Sequence, residues 1–466
     1  MRRLLVVACL VGLCVAAPSA HAHGGLEQRV LEAVQSAGFD RVLDGDRGPN
    51  PSPPWYEPIA HTPQVDVAVI KLNGANRATD AVNVLMSRDY PRGVVVPLGR
   101  DYETTAVRYR KWDLARWDEN GVRWTDPWPA NEDIVPGREN APINFMTPYP
   151  ASVLKVMVAY GVGRLVDADR ISLDARVTYT VASGKHCYAP EADTTETVRE
   201  WMTLMITESS NVATCALIQQ LHRLDALGEL NAHFVEIGLP SLTLKGTNRD
   251  GGSWSGGRGV YMGGMDTAKL LWLIDGAPGV LWRAPGGRKV TAAELSAGSR
   301  AFLKYILSEQ GFNEVLATTN WCGATLGEEF PDADRPYPVT GIPAATPARF
   351  IQPDGTVVVE GIPYGQDVRP CNARAEVIFS HKTGLVRNAG ADAGFVHELP
   401  GERRRDYVIA VFTNLGNRFT DPVMNTAFAD PRGPFDCWTQ RDVCYSEAFA
   451  KLGASIDRIM QRPGRR

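Results

Sequence analysis

Strand-like sequence on either side of a long helical middle is what most restricts the fold of this chain. Asp66–Leu72 (Asp-Val-Ala-Val-Ile-Lys-Leu) alternates weakly and is rich in β-branched residues. Strands are expected again at Ala375–Ser380, Gly394–Glu398 and Tyr407–Thr413, and a further candidate is Arg92–Leu98. Between them, residues 151–310 carry mostly helical periodicity, broken by a Gly-rich stretch at 251–264 that reads as a flexible loop. An amphipathic helix over 25–37 (Leu26, Val30, Leu31, Val34) precedes the first strand. Another over 445–461, with Phe449, Leu452, Ile456 and Ile459 on one face, closes the chain. This order fits one interrupted α+β unit rather than independent domains, and there is no internal repeat.

Composition and the termini narrow the class. The 466 residues carry 49 Lys+Arg against 53 Asp+Glu, a net charge of −4, so nothing electrostatic points to nucleic acid or an anionic membrane. Gly (44) and Pro (32) are abundant, which implies many loops. Residues 1–22 read as a signal peptide: Arg2 and Arg3, an apolar run from Leu4 to Ala17, and small residues at Ala20-His21-Ala22. That run is too short to span a membrane and no other stretch approaches the length needed, so a secreted, periplasmic or cell-envelope protein without a transmembrane segment is expected. A helix and a Pro-rich linker then occupy 23–65, and one further unit fills 66–466 with insertions at about 73–141 and 311–375. The second insertion holds one hairpin signal, Pro353-Asp354-Gly355.

Six cysteines remain after the signal: Cys187, Cys215, Cys322, Cys371, Cys437 and Cys444. An exported protein can form up to three disulfides from them. Cys437 and Cys444 are near enough to bridge locally, and Cys322 with Cys371 would close one long loop; buried free thiols are the plainer alternative. The aromatic segment 102–128 (Tyr102, Tyr109, Trp112, Trp117, Trp124, Trp128) could stack on a substrate, but packing an insertion onto the core explains it more simply.

Three short motifs carry chemistry. Ser152-Val-Leu-Lys155 follows Pro150, a residue suited to a first helical turn, and the i,i+3 spacing sets Ser152 and Lys155 on one face. A desolvated lysine can act as base toward a serine hydroxyl, and a helix N-terminus favours a developing oxyanion. Ser209-Ser210-Asn211 lies between the helical runs Val198–Ile206 and Ala213–Leu221, where a second hydroxyl could relay a proton and an amide could position substrate and lysine. Lys382-Thr383-Gly384 follows Val377, Ile378 and Phe379, near an edge strand, and suits binding of a substrate carboxylate with close backbone approach at Gly384. Each motif alone has an ordinary explanation: a solvated helix face, a cap, a turn.

Taken together and in this order, the three resemble the motifs of the class A β-lactamase and penicillin-binding-protein superfamily. The resemblance implies an antiparallel sheet flanked by terminal helices, plus an all-α subdomain. It implies Ser152 as nucleophile, Lys155 as general base and Ser209 as proton shuttle. Asn211, Lys382, Thr383 and Gly384 would bind substrate, and the N–H groups of Ser152 and Leu385 would form the oxyanion hole. Two departures accompany it. No Glu occurs between Glu236 and Glu294, so within Leu242–Met262 only Asp250 offers a carboxylate as deacylation base, and Ser210 stands where many β-lactamases have Asp. Arg387, just past Gly384, is a guess for the group closing on a substrate carboxylate.

Competing chemistries lack their signatures. The eight His residues show no metal-ligand spacing, and His381, beside Lys382, reads as structural. There is no Gly-x-Ser-x-Gly elbow and no phosphate-binding loop, and no motif requires a cofactor. The expected function is an exported serine hydrolase that cleaves an amide, a β-lactam ring or a D-alanyl peptide of peptidoglycan type, through a Ser152 acyl-enzyme. The alternative is a catalytically weak cell-envelope or penicillin-binding protein that acylates or binds peptidoglycan without efficient turnover.

Overall fold

The structure is a computed structural model and describes residues 24–45, 57–118, 130–180, 193–255, 259–311, 345–359, 362–364, 367–373, 375–400, 405–420 and 446–461. Its centre is a six-stranded antiparallel sheet of β1 (Val65–Leu72), β2 (Ala78–Met86), β3 (Val94–Val95), β4 (Val377–Val386), β5 (Ala389–Glu398) and β6 (Asp406–Thr413). The spatial order is β4-β5-β6-β1-β2-β3, so the first strand pairs with the last, Val65 opposite Thr413. Mixed α+β architecture is therefore observed, and both ends of the chain build the sheet.

The weak alternation of β1 has a direct cause: nearly every one of its residues is buried, because both faces of the sheet are covered. On one face Val65, Val67 and Val69 pack with α1 (Gly24–Ala37) and α8 (Ser446–Met460) through Val30, Val34, Phe449, Leu452 and Ile456. On the other, Ala68, Ile70 and Leu72 join the core of the helical middle. That middle comprises α2 (Lys155–Asp167), α3 (Val198–Thr207), α4 (Asn211–Arg223), α5 (Ala226–Glu236), α6 (Gly264–Asp275) and α7 (Ala297–Ser308). No helix among the described residues is long and apolar enough to cross a membrane.

The structure adds detail that periodicity does not carry. Part of the stretch read as an insertion from 73 is a full sheet strand, β2, and the candidate strand Arg92–Leu98 is reduced to Val94–Val95. The strand expected to end at Ser380 runs on to Val386, so Lys382-Thr383-Gly384 lies inside it. Of the aromatic segment, Tyr109 meets Phe145 edge to face and Trp117 packs against Trp112, both within cores; Trp124 and Trp128 lie outside the described residues. The Pro353-Asp354-Gly355 turn forms, with Ile351 bridged to Val357 and Gly355 N–H donating to Gln352 O. Cys187, Cys322, Cys437 and Cys444 lie outside the described residues; Cys215 is fully buried on α4.

Helix α6 lies over β1, β5 and β6, buried along its whole length, and a carboxylate marks each end. At its start Asp66 of β1 accepts the Gly264 N–H at 2.7 Å and Asn83 Nδ2 at 2.7 Å, a negative charge where the helix N-terminus favours one. Burial pushes the Asp66 carboxyl up to about 6, against those two hydrogen bonds. At the far end Asp275 would oppose the helix dipole, and cations offset it: Lys304 Nζ at 2.7 Å and His397 Nε2 at 3.0 Å. His397 Nδ1 also reaches Asp406, at 3.1 Å.

Burial disfavours the His397 imidazolium, but Asp275 and Asp406 outweigh it and raise the group from 6.5 to about 9. The folded value lies above the unfolded one, so this contribution is complete below pH ~6.5 and is lost as pH rises through ~9, about 3 kcal/mol in all. Urea unfolding between pH 6 and pH 10 is expected to show that decline in the wild type and a flatter profile in His397→Gln. Identical slopes for the two proteins would contradict the assignment.

Candidate active site

Ser152 sits in a 3₁₀ turn, Ala151–Leu154, that runs directly into α2. The tight turn eclipses residues three apart, which lets the side chain of Lys155 fold back on Ser152. Lys155 is fully buried, and its Nζ lies 2.9 Å from Ser152 Oγ. Ala151, just before the serine, has φ +46°, a left-handed conformation uncommon without glycine.

The second element is the turn between α3 and α4. Ser209 also has a left-handed backbone, φ +62°. Ser210 caps α4, its Oγ accepting the Ala213 N–H at 3.2 Å, and Asn211 opens that helix. Serine and aspartate are both strong N-caps, so the Ser210 departure preserves the turn's architecture. Lys155 Nζ reaches Ser209 Oγ at 2.9 Å, Asn211 Oδ1 at 2.9 Å and the carbonyl of Ser209.

The third element is β4. Lys382, fully buried, sends Nζ to Ser209 Oγ at 3.0 Å and to the carbonyl of Thr383 at 3.0 Å. The Ser209 hydroxyl thus lies between two buried lysines. With both oxygen lone pairs facing N–H groups, its own proton is free to be donated elsewhere. Gly384 brings the strand against the nucleophile turn: a Cβ there would stand 2.7 Å from Pro150 O, 2.8 Å from Ser152 N and 3.1 Å from Ala151 Cβ. Leu385 follows on the same strand.

So Ser152, Lys155, Ser209, Asn211 and Lys382 converge, joined by hydrogen bonds across three segments far apart in sequence. Thr383 and Gly384 lie beside them on β4. Arg387 is exposed in the two-residue turn between Val386 and Ala389. His381, one residue from Lys382, faces the other side of the strand, stacks on Phe379 at 3.9 Å and binds Asp392 through Nδ1 at 2.8 Å. Gly394 opposite makes room for it, since a Cβ there would lie 2.4 Å from His381 Cβ.

Asp250 is exposed on the loop after α5. That loop is firmly seated. Gln219 Nε2 donates to Asp250 O at 2.7 Å, Tyr179 OH to Gly251 O at 2.9 Å, and His222 Nε2 lies 2.8 Å from Thr247 Oγ1. At its end Trp254 Nε1 donates to Tyr149 OH at 2.6 Å, three residues before Ser152. Neither Tyr149 nor Trp254 stands out in the sequence, because their link spans over a hundred residues of chain.

Residues 137–274 match the model of the Beta-lactamase enzyme family. The match takes in the Ser-x-x-Lys and Ser-x-Asn segments and the loop with Asp250, so the superfamily resemblance of the motifs stands. Lys382 and its neighbours fall outside it and reach the same cluster through β4. No curated protein matches the chain. Solved structures similar to it include a β-lactamase from Chitinophaga pinensis (15% identity, 93% of this chain and 97% of that one, TM-score 0.40). A β-lactamase from Sphaerobacter thermophilus is another (14%, 93% and 96%, TM-score 0.42). A variant of PBP-A in acyl-enzyme complex with penicillin G is a third (20%, 66% and 81%, TM-score 0.36).

The contact at Gly384 is testable by itself. Gly384→Ala would force β4 away from the Ser152 turn, and overpacking of this kind costs about 1–3 kcal/mol. Chemical denaturation is expected to show that loss, and unchanged stability would mean that the strand and turn are not held at this distance.

Proposed function

We propose that this β-lactamase-like serine hydrolase is an exported enzyme that opens an amide through a covalent acyl-enzyme on Ser152. One observation carries the reading: Lys155 Nζ is 2.9 Å from both Ser152 Oγ and Ser209 Oγ, and Lys382 approaches Ser209 from another side. In the neutral form, Lys155 takes the Ser152 proton as Oγ attacks the carbonyl carbon. The oxyanion is received by the N–H groups of Ser152 and Leu385. Ser209 gives its proton to the leaving nitrogen and is resupplied from Lys155. Lys382 and Thr383 hold a substrate carboxylate, and Asn211, its Oδ1 engaged by Lys155, offers Nδ2 to the substrate. Substrates of this chemistry are β-lactams and D-alanyl peptides of peptidoglycan type, and no cofactor enters any step.

The second step favours slow turnover. Hydrolysis of the ester needs a base beside the incoming water, worth ~10²–10⁴-fold. The loop that could provide one carries only Asp250, which is exposed. Intact-protein mass spectrometry with a penicillin is expected to show one adduct on the wild type, forming fast and decaying slowly, and none on Ser152→Ala. Penicillin consumption should burst near one equivalent and then slow. Labelling of Ser152→Ala equal to wild type removes the nucleophile assignment. Fast multiple turnover that survives Asp250→Ala overturns the argument from the missing glutamate, and binding of peptidoglycan fragments without any acylation favours the non-catalytic alternative.

A further inference from the structure

The turn that carries Ser209 is left-handed at a non-glycine residue. Helix α3 ends just before it, and the last carbonyls of a helix have no partner within the helix. Here the partners come from the segment that follows α7. Gln310 Nε2 donates to Ile206 O at 2.6 Å, and Gly311 N–H donates to Thr207 O at 2.8 Å. Farther along the same segment Arg349 returns to the same place. Its Nη2 donates to Thr207 Oγ1 at 2.9 Å and to Glu208 Oε1 at 2.8 Å.

The aim of that guanidinium is fixed by packing. It lies over the Phe350 ring, 4.7 Å from the centroid, and Phe350 is buried with Val357 and Val368 in a small core of their own. The Thr207 hydroxyl, fully buried, donates to Thr203 O at 2.8 Å and so receives Arg349 as an acceptor. A cation at the C-terminal end of α3 also suits the helix dipole. The two Arg349 bonds therefore end on the two residues immediately before Ser209.

We propose that Arg349 is a positioning residue: with Gln310 and Gly311 it clamps the Ser209 turn and so keeps Ser209 Oγ between Lys155 and Lys382. The proposal rests on the acyl-transfer reading above. Arg349 and Glu208 are each about one-third exposed, at 33% and 30%, so their pair adds little to global stability. Its effect is geometric, and a misplacement of ~1 Å at a reacting group costs about 10²-fold in rate.

The test separates binding from chemistry. Acylation by a chromogenic penicillin is followed at several concentrations, giving an acylation rate constant and a non-covalent dissociation constant. Arg349→Ala is expected to acylate about 10- to 100-fold more slowly than wild type, with the dissociation constant and melting temperature little changed. Arg349→Lys, which keeps the charge but loses the planar guanidinium that lies over Phe350, should recover part of the rate. An unchanged acylation rate in Arg349→Ala overturns the clamp, as does a loss no greater than the loss of folded protein. If Arg349→Ala does not fold, Glu208→Gln and Thr207→Val carry the test, each expected to slow acylation several-fold, and wild-type rates in both overturn it. A wild type that acylates with neither penicillin nor a reactive fluorophosphonate overturns the acyl-transfer reading and this inference with it. A wild type that acylates beside an unaffected Arg349→Ala overturns the clamp alone.

Discussion

A lysine ammonium removed from water is an expensive object, costing several kcal/mol even after the protein relaxes around it, and Lys155 has no exposed surface at all. Its Nζ must be met by oxygen atoms, and it is met by Ser152 Oγ, Ser209 Oγ, the Ser209 carbonyl and Asn211 Oδ1. These come from the 3₁₀ turn before α2, the turn after α3 and the first residue of α4. The requirement to satisfy one buried cation therefore fixes three pieces of backbone relative to one another. The left-handed residues Ala151 and Ser209 lie where that convergence is tightest. Each costs about 1–2 kcal/mol and persists only because the surrounding helices share one core.

The sheet supplies what the helices cannot. Lys382 comes from β4, an edge strand, and reaches Ser209 only because Gly384 lets β4 press against the backbone of Pro150 and Ser152. Alternation along the strand then divides its side chains between two environments. Lys382 turns toward the helical middle, while Phe379 and His381 turn toward the layer formed by α1 and α8. The His381–Asp392 pair is thus a buried support beneath the strand.

The motifs were legible because they are local: each is complete within four residues, and its chemistry follows from side-chain type. The helices of the middle and the two terminal helices were legible by periodicity. Other features depend on partners that periodicity cannot name. β2 begins with exposed and half-buried residues such as Thr79 and Asp80, so its apolar half alone did not read as a strand. Lys-Thr-Gly looked like a strand end because glycine weakens strand propensity, yet here glycine is what the neighbouring turn requires. Asp66 and Asn83 are buried polar residues whose hydrogen bonds depend on Gly264 and on each other, and buried Arg405 pairs with Glu376 and Asp457, none predictable from local sequence. Arg349 was invisible for the same reason, since its partners Thr207 and Glu208 lie across another domain layer's worth of chain.

The loop bearing Asp250 shows how one helix can organise both ends of a reaction. Asn211 opens α4 at the lysine cluster, while Gln219 and His222 farther along the same helix hold the loop. Gly252, at φ +67°, lies so close to the α4 backbone that a Cβ would fall 1.9 Å from Cys215 O. The loop and the lysine cluster are therefore both tied to α4. Under the acyl-transfer reading this bears on the second step. Once Ser152 Oγ is an ester oxygen it is a poorer acceptor for Lys155 Nζ. Lys155 touches both Ser152 Oγ and Ser209 Oγ from a buried position, whereas Asp250 is exposed with its backbone carbonyl turned to Gln219. Under that reading Lys155 is the basic group already in contact with the ester oxygen.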